Sequence, residues 1–359
     1  MSAARPLPEH DASRESVATR LAESGRLPDP LLRLGIRRQC AQRLKEERRG
    51  GPEAVRQRQQ ALLDALRLDA IAVETQAANR QHYELPPEFF RLCLGKHLKY
   101  SSCLWDANTT ELTQAEEKML RLYGERADLA NASRILELGC GWGSLTLWMA
   151  ERYPKTMITA VSNSRPQKEF IEARCRERAI FNVEVITCDV NTLQLPQGMF
   201  DRVVSIEMFE HMRNYQTLMG RVAGWLKPGG KLFVHIFCHR ELAYLFQTEG
   251  EDNWMGRHFF TGGLMPAADT LLQFQEALTL EERWLLPGTH YEKTANAWLA
   301  NQDAHRDQIM GLMRQTYGVA EAARWYQRWR MFWMACAELF GYAGGSEWMV
   351  GHYRFRKPA

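Results

Sequence analysis

Between Arg134 and Leu145 the chain reads R-I-L-E-L-G-C-G-W-G-S-L, and no other stretch restricts the fold as much. A short apolar strand runs straight into a glycine turn that opens a helix. Gly139, Gly141 and Gly143 tolerate positive φ and place no Cβ between main chain and ligand, so a carboxylate and a ribose can lie against the turn and the helix N-terminus. A dinucleotide site is expected as G-x-G-x-x-G, with room for a pyrophosphate. Here the spacing is G-x-G-x-G and lies far from the N-terminus. It disfavours NAD and suits S-adenosylmethionine.

After the turn, strands and helices alternate. Met157 to Ser162, Val183 to Cys188, Arg202 to Ile206 and Leu232 to Phe237 read as strands, the last preceded by the turn Pro228-Gly229-Gly230, and Gln167 to Arg178 as a helix. Two later strands, Ala277 to Leu285 and Trp348 to Phe355, are separated by a long helical stretch at about 290–342. This alternation predicts an α/β fold with a doubly wound, mostly parallel sheet of seven strands, whose ligands sit at the strand C-termini. The first 80 residues read as a helical extension ahead of a main domain over 81–359. Residues 33–49 hold seven Arg or Lys against two Glu, which reads first as a solvated helical face.

Charge and cysteine usage exclude several classes. A net charge of +3 gives no reason to expect nucleic acid or an anionic membrane surface. The eight cysteines form no C-x-x-C pair, which suits reduced thiols in a cytoplasmic protein, and Cys and His suggest no metal site. No apolar run reaches the roughly 18 residues that span a bilayer.

The candidate chemistry lies where the fourth strand ends, at V-S-I-E-M-F-E-H-M. Glu207, Glu210 and His211 fall within about one helical turn, on the edge where strand-end ligands bind. Crowded, half-buried carboxylates that repel each other have raised pKa values, and a neighbouring imidazole can relay a proton. An aromatic set comprising Tyr83, Phe259, Phe260, Trp325, Trp329, Phe332 and Trp333 could stack on a cationic or aromatic ligand. The helical spacing of Trp325, Trp329, Phe332 and Cys336 equally suits a core stripe. His235 and His239, at the end of the fifth strand, suit structural roles.

From about His82 onward, the segments H-Y-E-L-P-P-E-F-F, L-K-Y-S-S-C, L-E-L-G-C-G-W-G-S-L-T-L, A-V-S-N-S-R-P-Q-K-E-F-I-E, V-V-S-I-E-M-F-E-H-M-R-N-Y and S-E-W-M-V-G-H resemble the cyclopropane fatty acid synthase superfamily. Within that superfamily the resemblance is to the coclaurine N-methyltransferase-like branch. It implies a Rossmann-like class I methyltransferase that uses S-adenosylmethionine. The cofactor would lie against Tyr100, Ser101, Glu137, the glycine turn, Ser162, Asn163, Gln167, Asp189, Val190 and Ile206. Substrate positions would be Tyr83, Phe260, Trp329, Phe332, His235 and Tyr291.

The lipid enzymes of this superfamily hold a bicarbonate base with Cys, Glu, His and Tyr, whose counterparts here would be Ser102 or Cys103, Glu210, His235 and Tyr291. They usually carry Gly where this chain has Glu207; the amine methyltransferases carry Glu. The resemblance therefore implies a small arylalkyl or benzylisoquinoline-like amine as substrate, with Glu207 and His211 handling its proton and Glu210 in support, and it suggests a homodimer. Two other readings stay open. One is a lipid-directed enzyme docking through its basic N-terminal helices, and the other is a cofactor-binding protein without turnover.

Overall fold

The computed structural model describes residues 16–73, 85–249 and 253–359. The chain opens with helices α1 (Val17–Glu23), α2 (Asp29–Glu47) and α3 (Gly51–Leu68), followed by α4 (Pro87–Cys93) and α5 (Leu112–Arg126). The alternating region contains β1 (Arg134–Leu138), α6 (Ser144–Arg152), β2 (Met157–Ser162), α7 (Arg165–Glu177), β3 (Val183–Thr187), β4 (Phe200–Ile206), α8 (Tyr215–Trp225) and β5 (Leu226–His239). A hairpin of β6 (Tyr244–Leu245) and β7 (Leu264–Met265) brackets the short helix α9 (Trp254–His258). The chain ends with β8 (Thr279–Leu286), helices α10 (Thr289–Ala304), α11 (Arg306–Tyr317) and α12 (Val319–Gly341), and β9 (Trp348–Arg356).

Seven strands form one sheet in the order β3-β2-β1-β4-β5-β9-β8, parallel except at β9, which runs antiparallel to β5 and β8. The near-continuous apolar runs of β1 and β2 follow from burial on both sheet faces. Order reverses between β1 and β4, and the crevice that opens there lies above the glycine turn and the end of β4. This is the expected sheet. One boundary differs: β5 begins at Leu226, before Pro228-Gly229-Gly230, because Leu226 pairs with Phe200 and the backbone of Lys357 bonds to Gly229 and Gly230. The glycines lie inside the strand as an irregularity.

The basic N-terminal helices are not simply a solvated face. Arg33 bonds to Glu338 at 2.8 Å and to Asn296 at 2.7 Å, Arg37 pairs with the same Glu338, and Arg48 reaches Glu347 at 3.0 Å. From the other side Arg330 grips Asp29, and buried Glu23 of α1 takes a two-pronged bond from Arg328 of α12 at 2.9 Å on each oxygen. These charges hold α1 and α2 against α12. Among the described residues no helix is long and apolar enough to cross a membrane.

Candidate active site

Three cavities converge at the C-terminal edge of the sheet. The first, about 820 Å³ counting its open mouth, is walled by Gly139, Gly141, Ser162, Asn163, Gln167, Asp189, Val190, Glu207 and His211. A second, on the other side of the glycine turn, is lined by Tyr100, Ser101, Glu137, Gly139, Gly141, Ile206 and Glu207. The third, about 750 Å³, is largely apolar: Phe237, Phe246, Met255, Phe260, Met265, Trp298, Phe332 and Phe340 surround Tyr100, Glu207, Glu210, His211 and Tyr291. Glu207 lies on the walls of all three.

The glycine turn divides its labour. Gly139, Gly141 and Gly143 have φ of +80°, +52° and +80°. A Cβ on Gly139 would meet Met208 at 2.7 Å, and one on Gly143 would meet Ile171 at 2.7 Å, whereas one on Gly141 would meet no atom of the described residues within 4 Å. Only Gly141 therefore leaves its vacant side toward ligand space. Gly143 does not line the cofactor-side cavities and instead packs α6 against α7. Ser162 donates to Gln167 Oε1 at 2.6 Å, which aims the buried Gln167 Nε2 into the first cavity with no partner among the described residues. Asp189 Oδ1 accepts from the Asn191 amide at 2.8 Å. An uncovered backbone at Gly141, an amide donor awaiting an acceptor, and a carboxylate fit the methionyl and ribosyl groups of S-adenosylmethionine.

Glu207 ends β4 with a φ of +48°, a left-handed conformation that costs a non-glycine residue roughly 1–3 kcal/mol and persists only where surrounding contacts enforce it. Those contacts are visible. The Ser102 amide donates to Oε1 at 2.9 Å, His235 Nε2 lies 2.9 Å from Oε1, and the Tyr291 hydroxyl donates to Oε2 at 2.6 Å. Burial pushes the Glu207 carboxyl up, while the fully buried Lys99, Tyr291 and the Ser102 amide pull it back. Glu210 is also fully buried, with only its own amide and that of Phe237 nearby. Burial, and then the charge of Glu207, drives its carboxyl well above the usual range. Repulsion by Glu207 thus adds to burial at Glu210, while at Glu207 burial alone pushes upward. The two acids sit across a short 3₁₀ turn, Phe209–His211, rather than on one α-helical face. His211 packs at a tilt on Phe260, ring centres 4.6 Å apart, and borders both the first and the apolar cavity.

Two expected substrate positions do not line the apolar cavity. Trp329 is 1% exposed and packs on Phe89 at 4.6 Å and on Phe259 at 5.1 Å, because its helix face points into the core rather than to the cavity. His235 is wholly buried and meets the site through Glu207 and through Tyr123, whose hydroxyl lies 2.8 Å from its Nδ1 on the wall of the second cavity. Phe260, Phe332 and Tyr291 do line the apolar cavity, and Tyr83 lies outside the described residues. His239 is structural, its Nδ1 accepting from the amides of Glu241 and Leu242. Sequence reasoning missed Lys99, Tyr123, Arg126 and His352 around Glu207. The only available signal was strand register, which sets His352 directly opposite His235.

A family model for mycolic acid cyclopropane synthetase matches residues 72–344. The (S)-coclaurine N-methyltransferase of Thalictrum flavum subsp. glaucum is 37% identical over 339 residues, covering 93% of this chain and 94% of that protein. A crystal structure of coclaurine N-methyltransferase bound to N-methylheliamine and SAH superposes with a TM-score of 0.91 at 36% identity, covering 95% of this chain and 99% of the other. A cyclopropane synthase from Mycobacterium tuberculosis shares the fold, with a TM-score of 0.68 at 21% identity, covering 80% of this chain and all of that one.

Proposed function

The chain belongs to the mycolic acid cyclopropane synthetase family of S-adenosylmethionine-dependent methyltransferases, and from that premise we propose that it methylates the nitrogen of a small arylalkyl amine of the benzylisoquinoline type. One observation carries the reading. A buried carboxylate, Glu207, stands where the cofactor-side cavities meet an apolar, aromatic-walled cavity large enough for a fused-ring amine. The cofactor supplies an electrophilic methyl group; everything else falls to the protein. Gly141, Gln167, Ser162, Asn163, Asp189, Val190, Tyr100, Ser101, Glu137 and Ile206 hold it.

An arylalkyl amine arrives at neutral pH as an ammonium ion, which cannot act as a nucleophile. Glu207 attracts and orients that cation, an interaction strengthened where water is excluded. Phe260, Phe332 and Tyr291 form the walls for its rings. His211, on the boundary between the two sides, takes the ammonium proton on an imidazole nitrogen and frees the lone pair. Glu210, whose carboxyl burial and the charge of Glu207 hold well above the usual range, stays protonated and supports the arrangement.

The reading is tested by incubating the protein with methyl-labelled S-adenosylmethionine and, in parallel, a tetrahydroisoquinoline or unsaturated phospholipid vesicles. Label is expected in the amine. Label found only in the lipid overturns the proposal.

A further inference from the structure

Behind Glu207 a row of side chains crosses the sheet that the chemistry above does not use. Arg126 Nη1 lies 2.7 Å from His352 Nδ1, His352 Nε2 lies 2.9 Å from His235 Nδ1, and His235 Nε2 lies 2.9 Å from Glu207 Oε1. His235 on β5 and His352 on β9 are register partners, both wholly buried. Tyr123, one helical turn before Arg126 on α5, places its hydroxyl 2.8 Å from His235 Nδ1. Arg126 is half-buried and lies over the Trp284 ring at 4.8 Å, with Arg354 over the same ring at 5.6 Å.

The direction of this row follows from one chemical fact: a guanidinium can only donate. His352 Nδ1 must therefore accept, and burial together with the neighbouring His235 and Arg126 keeps the ring neutral. A neutral imidazole with a bare Nδ1 carries its hydrogen on Nε2, so His352 donates to His235 Nδ1. His235, kept neutral by burial and by the charges of Lys99 and Arg126, then carries its own hydrogen on Nε2 and donates it to Glu207. Each bond aims a hydrogen toward the carboxylate. With the Ser102 amide and the Tyr291 hydroxyl, three donors converge on Glu207.

Resting on the amine-methylation reading, we propose that Arg126 is a positioning residue for the reaction: through His352 and His235 it fixes a one-way chain of donors that holds Glu207 ionised and aimed at the substrate cation. Arg126 touches neither substrate nor cofactor. It acts by locking two histidine tautomers that would otherwise be free to invert. The charged and titratable groups around this row include Lys99, Cys103, Glu210, Tyr291 and Cys336 at the Glu207 end, Tyr123 beside His235, and Glu125 and Glu282 beside Arg126. Lys99 is tied to Ser101 Oγ and the Ser102 carbonyl, and so stabilises the same anion without entering the chain.

The test has two independent readings. In the unmodified protein, imidazole ¹⁵N NMR is expected to show both His235 and His352 as neutral Nε2–H tautomers; an Nδ1–H tautomer or a protonated ring at either position overturns the chain whatever the enzyme methylates. In kinetics with a tetrahydroisoquinoline, Arg126→Met is expected to move the acid limb of the kcat/KM profile upward by about one pH unit, a tenfold loss at low pH partly regained at high pH. Arg126→Lys, which keeps a donor and a charge, is expected to restore the limb. A uniform loss at every pH would mark a merely structural role and refute the proposal. Wild-type protein that methylates no amine but shows the two tautomers would overturn the substrate reading and leave the donor chain standing.

Discussion

Replacing Glu207 with glutamine separates the charge of this residue from its architecture. Oε1 receives the Ser102 amide and His235 Nε2, both at 2.9 Å, and Oε2 receives the Tyr291 hydroxyl at 2.6 Å. A glutamine can satisfy all three neighbours. Its carbonyl oxygen takes the two N–H donors, and its amide donates to the Tyr291 oxygen once that hydroxyl hydrogen turns away. Shape and hydrogen bonds survive while the negative charge is lost. Breaking a buried ion pair from one side costs roughly 3–5 kcal/mol, and about 1.4 kcal/mol is a factor of ten, so kcat/KM for the amine should fall by about two to three and a half orders of magnitude. Thermal unfolding should be unchanged or slightly later, because a buried charge has been removed. The assay is transfer of labelled methyl to a tetrahydroisoquinoline, with calorimetric binding of S-adenosylhomocysteine as a check that the cofactor side is intact. Glu207→Gly sharpens the comparison. It relieves the left-handed backbone, by about 1–2 kcal/mol, but strands three donors, each at a cost of about 1–3 kcal/mol, and should be the less stable variant. A glutamine enzyme with wild-type kcat/KM would refute the assignment of the charge to substrate recognition.

Other expectations follow from the same geometry. Gly141→Ala, whose Cβ meets only ligand space, should weaken cofactor binding by isothermal calorimetry more than it lowers stability, whereas Gly143→Ala, with a Cβ 2.7 Å from Ile171, should chiefly lower the melting temperature. Trp329→Phe should destabilise the fold by about 1–3 kcal/mol and leave KM for the amine near wild type, and Phe332→Ala should raise that KM; the reverse pattern would return Trp329 to the pocket. Burial raises the Glu137 carboxyl to about 8, so folding takes up a proton there between the usual glutamate range and that value. Stability from this group is therefore full at low pH and lost as pH rises toward 8, at ~1.4 kcal/mol per pH unit. Glu137→Gln should remove that slope from denaturant curves recorded between pH 5 and 8.

Much of the site was legible because it is written in local order. Strand, glycine turn and helix follow one another within a dozen residues, and the acids Glu207 and Glu210 immediately follow a strand whose apolar pattern places its end at the crevice. The aromatic wall was harder to read. Trp329 and Phe332 are three residues apart on one helix, yet the first faces the core and the second the cavity, a difference of rotation that an unbroken aromatic stripe does not record. His235 presented the same difficulty: its position at a strand end was evident, but that it reaches the chemistry through Glu207 and Tyr123 rather than directly depends on which face of the strand it occupies.

The sequence by itself determined the α/β alternation, the class of cofactor and the location of the acidic cluster, because periodicity, glycine spacing and short motifs act over neighbouring residues. Only the tertiary structure decided which of two adjacent carboxylates is bound by three donors and which is buried without them. It also decided that Arg126, Tyr123, His235 and His352 meet, from one helix and two strands far apart in the chain. Charge and tautomer are set by solvent exclusion and by partners across space, and neither quantity exists until the sheet has closed over them.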